Sequence, residues 1–303
     1  MMTISHTNSF IKSTNVRVVE QFKVQTIYLF FSLLWIVSRP LAKYVVKKLF
    51  FTPQHYKMSE KEKQMIQKAK PFKFQSGGRT IQGYQWGKGP AVLFIHGWAG
   101  CGIQFYEYFE LFVKAGFSVF TFDHVGHGNS DGKTSNYFEF SNAVYQFMTL
   151  QKKLDVKAIV AHSLGASAVI NYLWRTGQGI KTILIAPALP LVDTLDHAFF
   201  KYGVPLSIFK SLLKDIEKET GHEFEKENPI DQIKLLCSDI LIVHDTADRA
   251  ISYEESWKAS LLQDNIRLYS THGLGHIRIL KDKALANQII RNIKTREVSI
   301  ADC

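Results

Sequence analysis

The chain has 303 residues, 46% of them hydrophobic, enough to bury a substantial core as one large α/β domain or one domain with an insertion. Its three cysteines (Cys101, Cys237, Cys303) are odd in number and form no C-x-x-C pair, which argues against a disulfide framework or a cysteine zinc site and suits a reducing compartment. The net charge of +10 is unevenly placed: residues 1–90 hold 15 Lys and Arg against 3 Asp and Glu, and the remainder holds 22 against 24.

The basic character therefore belongs to an N-terminal arm, and the body is nearly neutral. A basic arm suits anionic lipid or nucleic acid. What accompanies the charges here favours lipid, and no nucleic-acid partner is expected. Residues 1–22 are polar, lack clear periodicity and read as loose chain. Residues 24–37 are almost wholly apolar, but 14 residues fall short of the ~20 that span a bilayer. Lys12, Arg17 and Lys23 precede the run as in a signal peptide, yet Ser38-Arg39-Pro40 is not a small-x-small cleavage site. Lys43, Lys47 and Lys48 follow, within a second apolar set of Tyr44, Val45, Val46, Leu49, Phe50 and Phe51. Tyr, Trp and Lys near the ends resemble interfacial anchors. Two readings stand level: association with an anionic membrane surface, or a helix packed on the domain. Basic residues after a spanning segment would keep the body in the cytoplasm, so the expected location is cytoplasmic, at the inner face of a membrane if the arm engages one.

Residues 57–70 read as a charged, solvated connecting helix. Pro71 opens the globular body, and residues 72–75 and 80–86 alternate around Gly77-Gly78 as a hairpin. From residue 91 short apolar strands alternate with helices, the pattern of a mostly parallel sheet covered on both faces. Strands are expected at 91–95, 118–122, 157–161, 182–186, 240–244 and 266–270, and helices near 103–115, 138–153, 164–175, 253–262 and 283–294. The rhythm breaks at about 187–231, where helix-like pieces at 193–202 and 206–220 read as a small helical lid insertion. The expected organisation is thus an arm over 1–70 and an α/β domain over 71–303.

One stretch organises the chemistry. In Ala161-His162-Ser163-Leu164-Gly165 an apolar strand stops at a serine and a helix begins at once, with small residues on both sides of the corner. This is the nucleophile-elbow pattern G-x-S-x-G with Ala161 for the first glycine. A serine hydroxyl needs a base to take its proton and a third group to orient that base. After the strand at 240–244, Asp248 follows a short loop. Asp245 is the rival acid, but lies so close to the strand end that shaping the turn suits it better. After the last strand, Gly273-Leu274-Gly275-His276 offers the base; His272 stands before the glycines. An oxyanion needs two backbone N–H donors. Leu164 at the helix start and Trp98 in His96-Gly97-Trp98-Ala99-Gly100 are the candidates, with the Trp98 indole as a pocket wall.

Five segments, H-G-W-A-G, D-H-V-G-H-G-N-S at 123–130, A-H-S-L-G, H-D-T-A-D-R-A-I and G-L-G-H, resemble the α/β-hydrolase family, in order across 72–294. The resemblance implies Ser163 as nucleophile, Asp248 as acid, His276 as base, an oxyanion hole from the Trp98 and Leu164 amides, and no cofactor. Ala161, and Val125 where many members carry Arg or Pro, depart from the pattern without removing a triad member. The implied activity is serine hydrolysis of a small-molecule acyl compound, a carboxylic ester first; thioesters and lipid acyl chains, or a non-catalytic binding member, are the alternatives. Asp123, His124, His127 and Asp131 have metal-like spacing but coincide with the family's Gly-rich turn, so no metal is expected. Gly97, Gly100 and Gly102 do not make a dinucleotide fingerprint.

Overall fold

The computed structural model describes residues 5–295, with side chains from residue 21 onward. Its strands are β1 (Lys70–Ser76), β2 (Arg79–Trp86), β3 (Ala91–Ile95), β4 (Ser118–Phe122), β5 (Val156–His162), β6 (Lys181–Ile185), β7 (Ile240–Asp245) and β8 (Ile266–Thr271). The helices are α1 (Ser5–Val37), α2 (Arg39–Phe50), α3 (Glu60–Gln67), α4 (Tyr106–Lys114), α5 (Tyr137–Leu150), α6 (Leu164–Thr176), α7 (Leu191–Lys201), α8 (Leu206–Thr220), α9 (Pro229–Gln232), α10 (Tyr253–Ser260), α11 (Gly275–Arg278) and α12 (Lys283–Lys294).

All eight strands form one sheet in the order β1-β2-β4-β3-β5-β6-β7-β8. β1 and β2 pair antiparallel as the expected hairpin, turning at Gly77 and Gly78, both at positive φ. β2 pairs antiparallel with β4, and every pairing from β4 to β8 is parallel. Because side chains alternate along a strand, each central strand feeds two cores. Leu93, Ile95, Ile159 and Leu184 face one, with Phe140 and Phe147 of α5 and Val169 and Leu173 of α6. Val92, Phe94, Val160 and Ile183 face the other, with Phe109 and Phe112 of α4 and Leu285 and Ile289 of α12. Strands apolar on both faces are what the near-continuous hydrophobic runs encode.

The element order is the expected one, with local differences. The helix expected at 103–115 opens as a 3₁₀ turn, Gly102–Phe105, before α4. The charged helix shrinks to α3, because Ser59 and Glu62 close a capping box at its start and the chain from Lys70 joins β1. The N-terminus differs most: α1 already begins at Ser5, where loose chain was expected. No Gly or Pro occurs between Ser5 and Val37, so nothing breaks the helix until Ser38, whose hydroxyl accepts from the Leu41 amide to start α2. Residues 1–4 and Cys303 lie outside the described residues. No helix among the described residues is long and apolar enough to cross a membrane.

The chain divides into two compact units, one of residues 1–51 with 192–224, the other of 52–191 with 225–303. In the first, α2 packs on α8: Ala42 and Val46 are buried, Lys43 pairs with Asp215 at 2.7 Å, and Lys47 with Glu219 at 2.9 Å. Phe50 stacks on Phe199 of α7 with ring centroids 4.1 Å apart. The second unit contains the whole sheet.

Candidate active site

β5 ends at His162 and α6 begins at Leu164, leaving Ser163 alone to make the corner. Its backbone takes φ 52°, ψ −122°, a region that side-chain-bearing residues rarely occupy. The amide of Ser163 donates to the Ile185 carbonyl of β6 at 3.0 Å, and its carbonyl accepts from Ala166 at 3.0 Å, so both sides of the corner are tied down. Gly165 is required next to it. A Cβ there would stand 2.3 Å from the His96 backbone oxygen. Ala161, in place of the first elbow glycine, is fully buried in β5 without a positive φ.

The side chains expected to act together do come together. His276 Nε2 lies 3.1 Å from Ser163 Oγ, and His276 Nδ1 lies 2.7 Å from Asp248 Oδ2. A carboxylate only accepts, so Nδ1 carries the hydrogen and Nε2 is left to receive the serine proton. Asp248 follows β7 by three residues; its other oxygen accepts from the Ala250 and Ile251 amides at 2.7 and 3.1 Å. Burial pushes this carboxyl up, but contacts with His244 and His276 outweigh it and hold it well below the usual carboxylate range.

The rival residues are occupied elsewhere. The Asp245 carboxylate accepts from the Ala247 amide at 3.0 Å, the Leu274 amide at 2.9 Å and the Thr271 hydroxyl at 2.8 Å. It therefore ties the β7 turn to the glycine loop that carries His276. Burial opposes its ionisation, but these donors hold it down at about 2. His272 is exposed, with its Nδ1 2.8 Å from Thr246 Oγ1.

The β3 loop runs against Ser163: a Cβ on Gly97 would lie 2.8 Å from Ser163 Cβ. Trp98 is flanked by two anchored neighbours. His96 Nε2 accepts from the His124 amide at 2.9 Å, so its Nδ1–H donates to the Gly97 carbonyl at 2.7 Å. The Ala99 amide, at a residue with φ 55°, donates to His127 Nε2 at 3.1 Å. Burial keeps both rings neutral, His96 well below its ordinary value and His127 at about 4. The Trp98 indole packs edge-on to His127 and stacks on Phe140. Leu164 is the first residue of α6, where an amide has no carbonyl within the helix to donate to.

Asp123, considered for metal on spacing, accepts from the Gly102 and Asn129 amides, and burial raises it to about 6. Exposed Asp131 accepts from the Thr80 amide, and His124 stacks on Phe140 at 3.7 Å. No group of three or more metal-ligating side chains occurs among the described residues.

Two further histidines, His162 in A-H-S-L-G and His244 in H-D-T-A-D-R-A-I, stand inside the motifs without a role of their own there. His162 Nε2 is 3.0 Å from the His276 carbonyl, which can only accept; the ring therefore donates there and braces His276 through its backbone. Burial holds His162 well below its ordinary value. His244 Nε2 lies 3.3 Å from Asp248 Oδ2, a long contact, while its Nδ1 lies 2.7 Å from Ser256 Oγ. Strand-end position inside the two motifs was the available signal.

Residues 88–221 match the family described as serine aminopeptidase, S33. A non-heme chloroperoxidase of Kitasatospora aureofaciens is 30% identical over 137 residues, 44% of this chain and 49% of that protein. A monoacylglycerol lipase of Mycolicibacterium smegmatis is 30% identical over 109 residues, 34% of this chain and 39% of that protein. The chain thus spans about half or less of the length of these relatives. The esterase Pf2001 of Pyrococcus furiosus superposes with a TM-score of 0.63 at 16% identity, over 80% of this chain and 98% of that one. The sheet order, the strand-to-helix corner at Ser163 and these matches agree on one architecture: the chain has the α/β-hydrolase fold.

Proposed function

We propose that the protein is a serine hydrolase that cleaves a carboxylic ester through an acyl-enzyme on Ser163. The observation that carries this is the continuous hydrogen-bonded line from Ser163 Oγ through the His276 ring to Asp248. His276 Nε2 takes the hydroxyl proton as Oγ attacks the ester carbonyl carbon. The Trp98 and Leu164 amides receive the oxyanion, and Asp248 stabilises the imidazolium formed. On collapse, the Nε2 proton passes to the leaving alcohol. Water, deprotonated by the same nitrogen, then attacks the acyl-enzyme and releases the acid. These steps use only the side chains and backbone amides named and water.

An uncharged acyl ester is the substrate class favoured, in keeping with relatives named as a lipase and an esterase. The hydrolase body is taken as 71–303, with its insertion at about 187–231, and the arm as 1–70. A fluorophosphonate probe tests the reading directly. Folded wild-type protein labels, Ser163→Ala does not, and a chain-length series of p-nitrophenyl esters against the matching acyl thioesters ranks the substrates. An unlabelled wild type would overturn the assignment in favour of a binding member of the family.

A further inference from the structure

The surface of α1 and α2 carries more apolar side chain than a protein in water ordinarily shows. Leu33 is 64% and Ile36 80% exposed, and Phe30 and Val37 are exposed beside them. On α2, Ala42 and Val46 face inward and are buried, yet the exposed side sets Leu41, Tyr44 and Leu49 among Arg39 and Lys48. A helix apolar on its outer as well as its inner side normally has a second apolar neighbour.

We propose that this face docks on the surface of an anionic lipid bilayer, with the two helices lying in the headgroup boundary. Three observations select that occupant. First, residues 21–51 contain five Lys or Arg and no Asp or Glu. Lys43 and Lys47 are paired inward with Asp215 and Glu219, whereas Lys23, Arg39 and Lys48 are exposed on the same two helices as the apolar residues. A second copy of the chain on this face would set cations against cations, with no carboxylate between 21 and 51 to neutralise them. A leaflet of anionic headgroups supplies the opposite charge. Second, Tyr28, Trp35 and Tyr44 are interspersed with those cations, and the Arg39 guanidinium lies 5.3 Å from the centre of the Trp35 ring. Amphipathic rings beside cations suit the depth where hydrocarbon meets headgroup. Third, the apolar run at 24–37 is about 21 Å long at 1.5 Å per residue, against a hydrocarbon core of about 30 Å. It lies between Lys23 and Arg39, so it can enter the boundary but not cross it. The cytoplasmic leaflet, which carries the anionic lipids, is the side expected.

The test is flotation of the full-length protein with phosphatidylcholine vesicles, with and without phosphatidylserine. Wild type is expected to float with the phosphatidylserine vesicles. Leu33→Ser/Ile36→Ser/Val37→Ser, all exposed positions, is expected to lower the partition coefficient at least about tenfold. Lys23→Gln/Lys48→Gln is expected to lower it about fivefold per charge on phosphatidylserine vesicles and to change nothing on phosphatidylcholine alone. Ser163→Ala should float like wild type, so failure of the esterase reading and failure of this one are separately visible. Hydrolysis of a water-soluble short-chain ester by the two surface variants should match wild type. A wild type that does not float, or a triple variant that floats equally well, overturns the proposal. So does a wild-type dimer that the triple variant converts to monomer without vesicle binding, since the occupant would then be a second copy.

Discussion

The strained corner at Ser163 can be tested without measuring activity. At φ 52°, ψ −122° the residue occupies the region that the first central position of a type II′ turn reserves for glycine. Holding a side-chain-bearing residue there costs on the order of 1–3 kcal/mol. Ser163→Ala removes the hydroxyl but keeps the Cβ, and with it the strain. Ser163→Gly removes both. At an unstrained buried site an Ala-to-Gly change costs about 0.4–1 kcal/mol through the freer unfolded chain and about 0.8 kcal/mol for the lost methyl. Ala161, two residues earlier in β5 and fully buried at an ordinary φ, is that reference site. Ala161→Gly should therefore lose about 1.5 kcal/mol. The step from Ser163→Ala to Ser163→Gly should be neutral or slightly favourable, because relief of about 2 kcal/mol offsets the same loss. The contrast between the two sites, about 2 kcal/mol, corresponds to roughly 4 °C in melting temperature for a chain of this size. Differential scanning calorimetry of the three variants measures it. An equal loss at both positions would refute the claim that the elbow stores strain.

Three further outcomes follow from the site. Asp248→Asn leaves the Ala250 and Ile251 amides an acceptor but sets the wrong partner against His276 Nδ1; kcat should fall on the order of 10³–10⁴ with KM little changed, in steady-state ester hydrolysis. Gly165→Ala puts a methyl 2.3 Å from the His96 carbonyl oxygen and 2.8 Å from Ile95 Cγ2, neither able to yield cheaply; a loss of about 1–3 kcal/mol in denaturant titration is expected, together with reduced kcat as the Gly97–Trp98 loop is pushed off Ser163. The buried His127 stays neutral down to about 4, while the unfolded imidazole takes up its proton below about 6.5. Its contribution is therefore complete above pH 6.5 and is lost as the pH falls through the window to 4, about 3 kcal/mol in all; His127→Gln should flatten the stability–pH curve over that window by this amount, and an unchanged slope would count against it.

Much of this architecture was readable in the sequence because the signals were local and redundant. Each central strand is a short apolar run bounded by turn residues, and α8 and α12 each occupy the residues their periodicity marked. Ser163, Asp248 and His276 could be named because parallel topology puts the residues after β5, β7 and β8 on one edge of the sheet. Choosing Asp248 over Asp245 needed only the distance from the strand end, and Asp245 indeed closes its own turn. The helix from Ser5 was not legible, since a polar stretch without periodicity gives no signal beyond the absence of Gly and Pro. Neither was the division of the chain, because grouping α2 with α8 depends on Lys43–Asp215 and Lys47–Glu219, contacts between residues 172 apart in the chain.

What lay furthest from the sequence was the way histidines divide labour around Ser163. Composition offers eleven of them, and the motifs explain one. His162 braces the His276 backbone, His96 and His127 fix the residues on either side of Trp98, and His244 lies beside Asp248. A lysine or arginine could not replace His96 or His127, because at each ring one nitrogen accepts from a backbone amide while the other lies 2.7 or 2.9 Å from a carbonyl. That double role exists only for neutral imidazole, and burial supplies the neutrality. The same burial leaves the mobile proton of the proposed reaction a single well-placed acceptor. His276 alone among the rings close to Ser163 is only half-buried and has a carboxylate behind it.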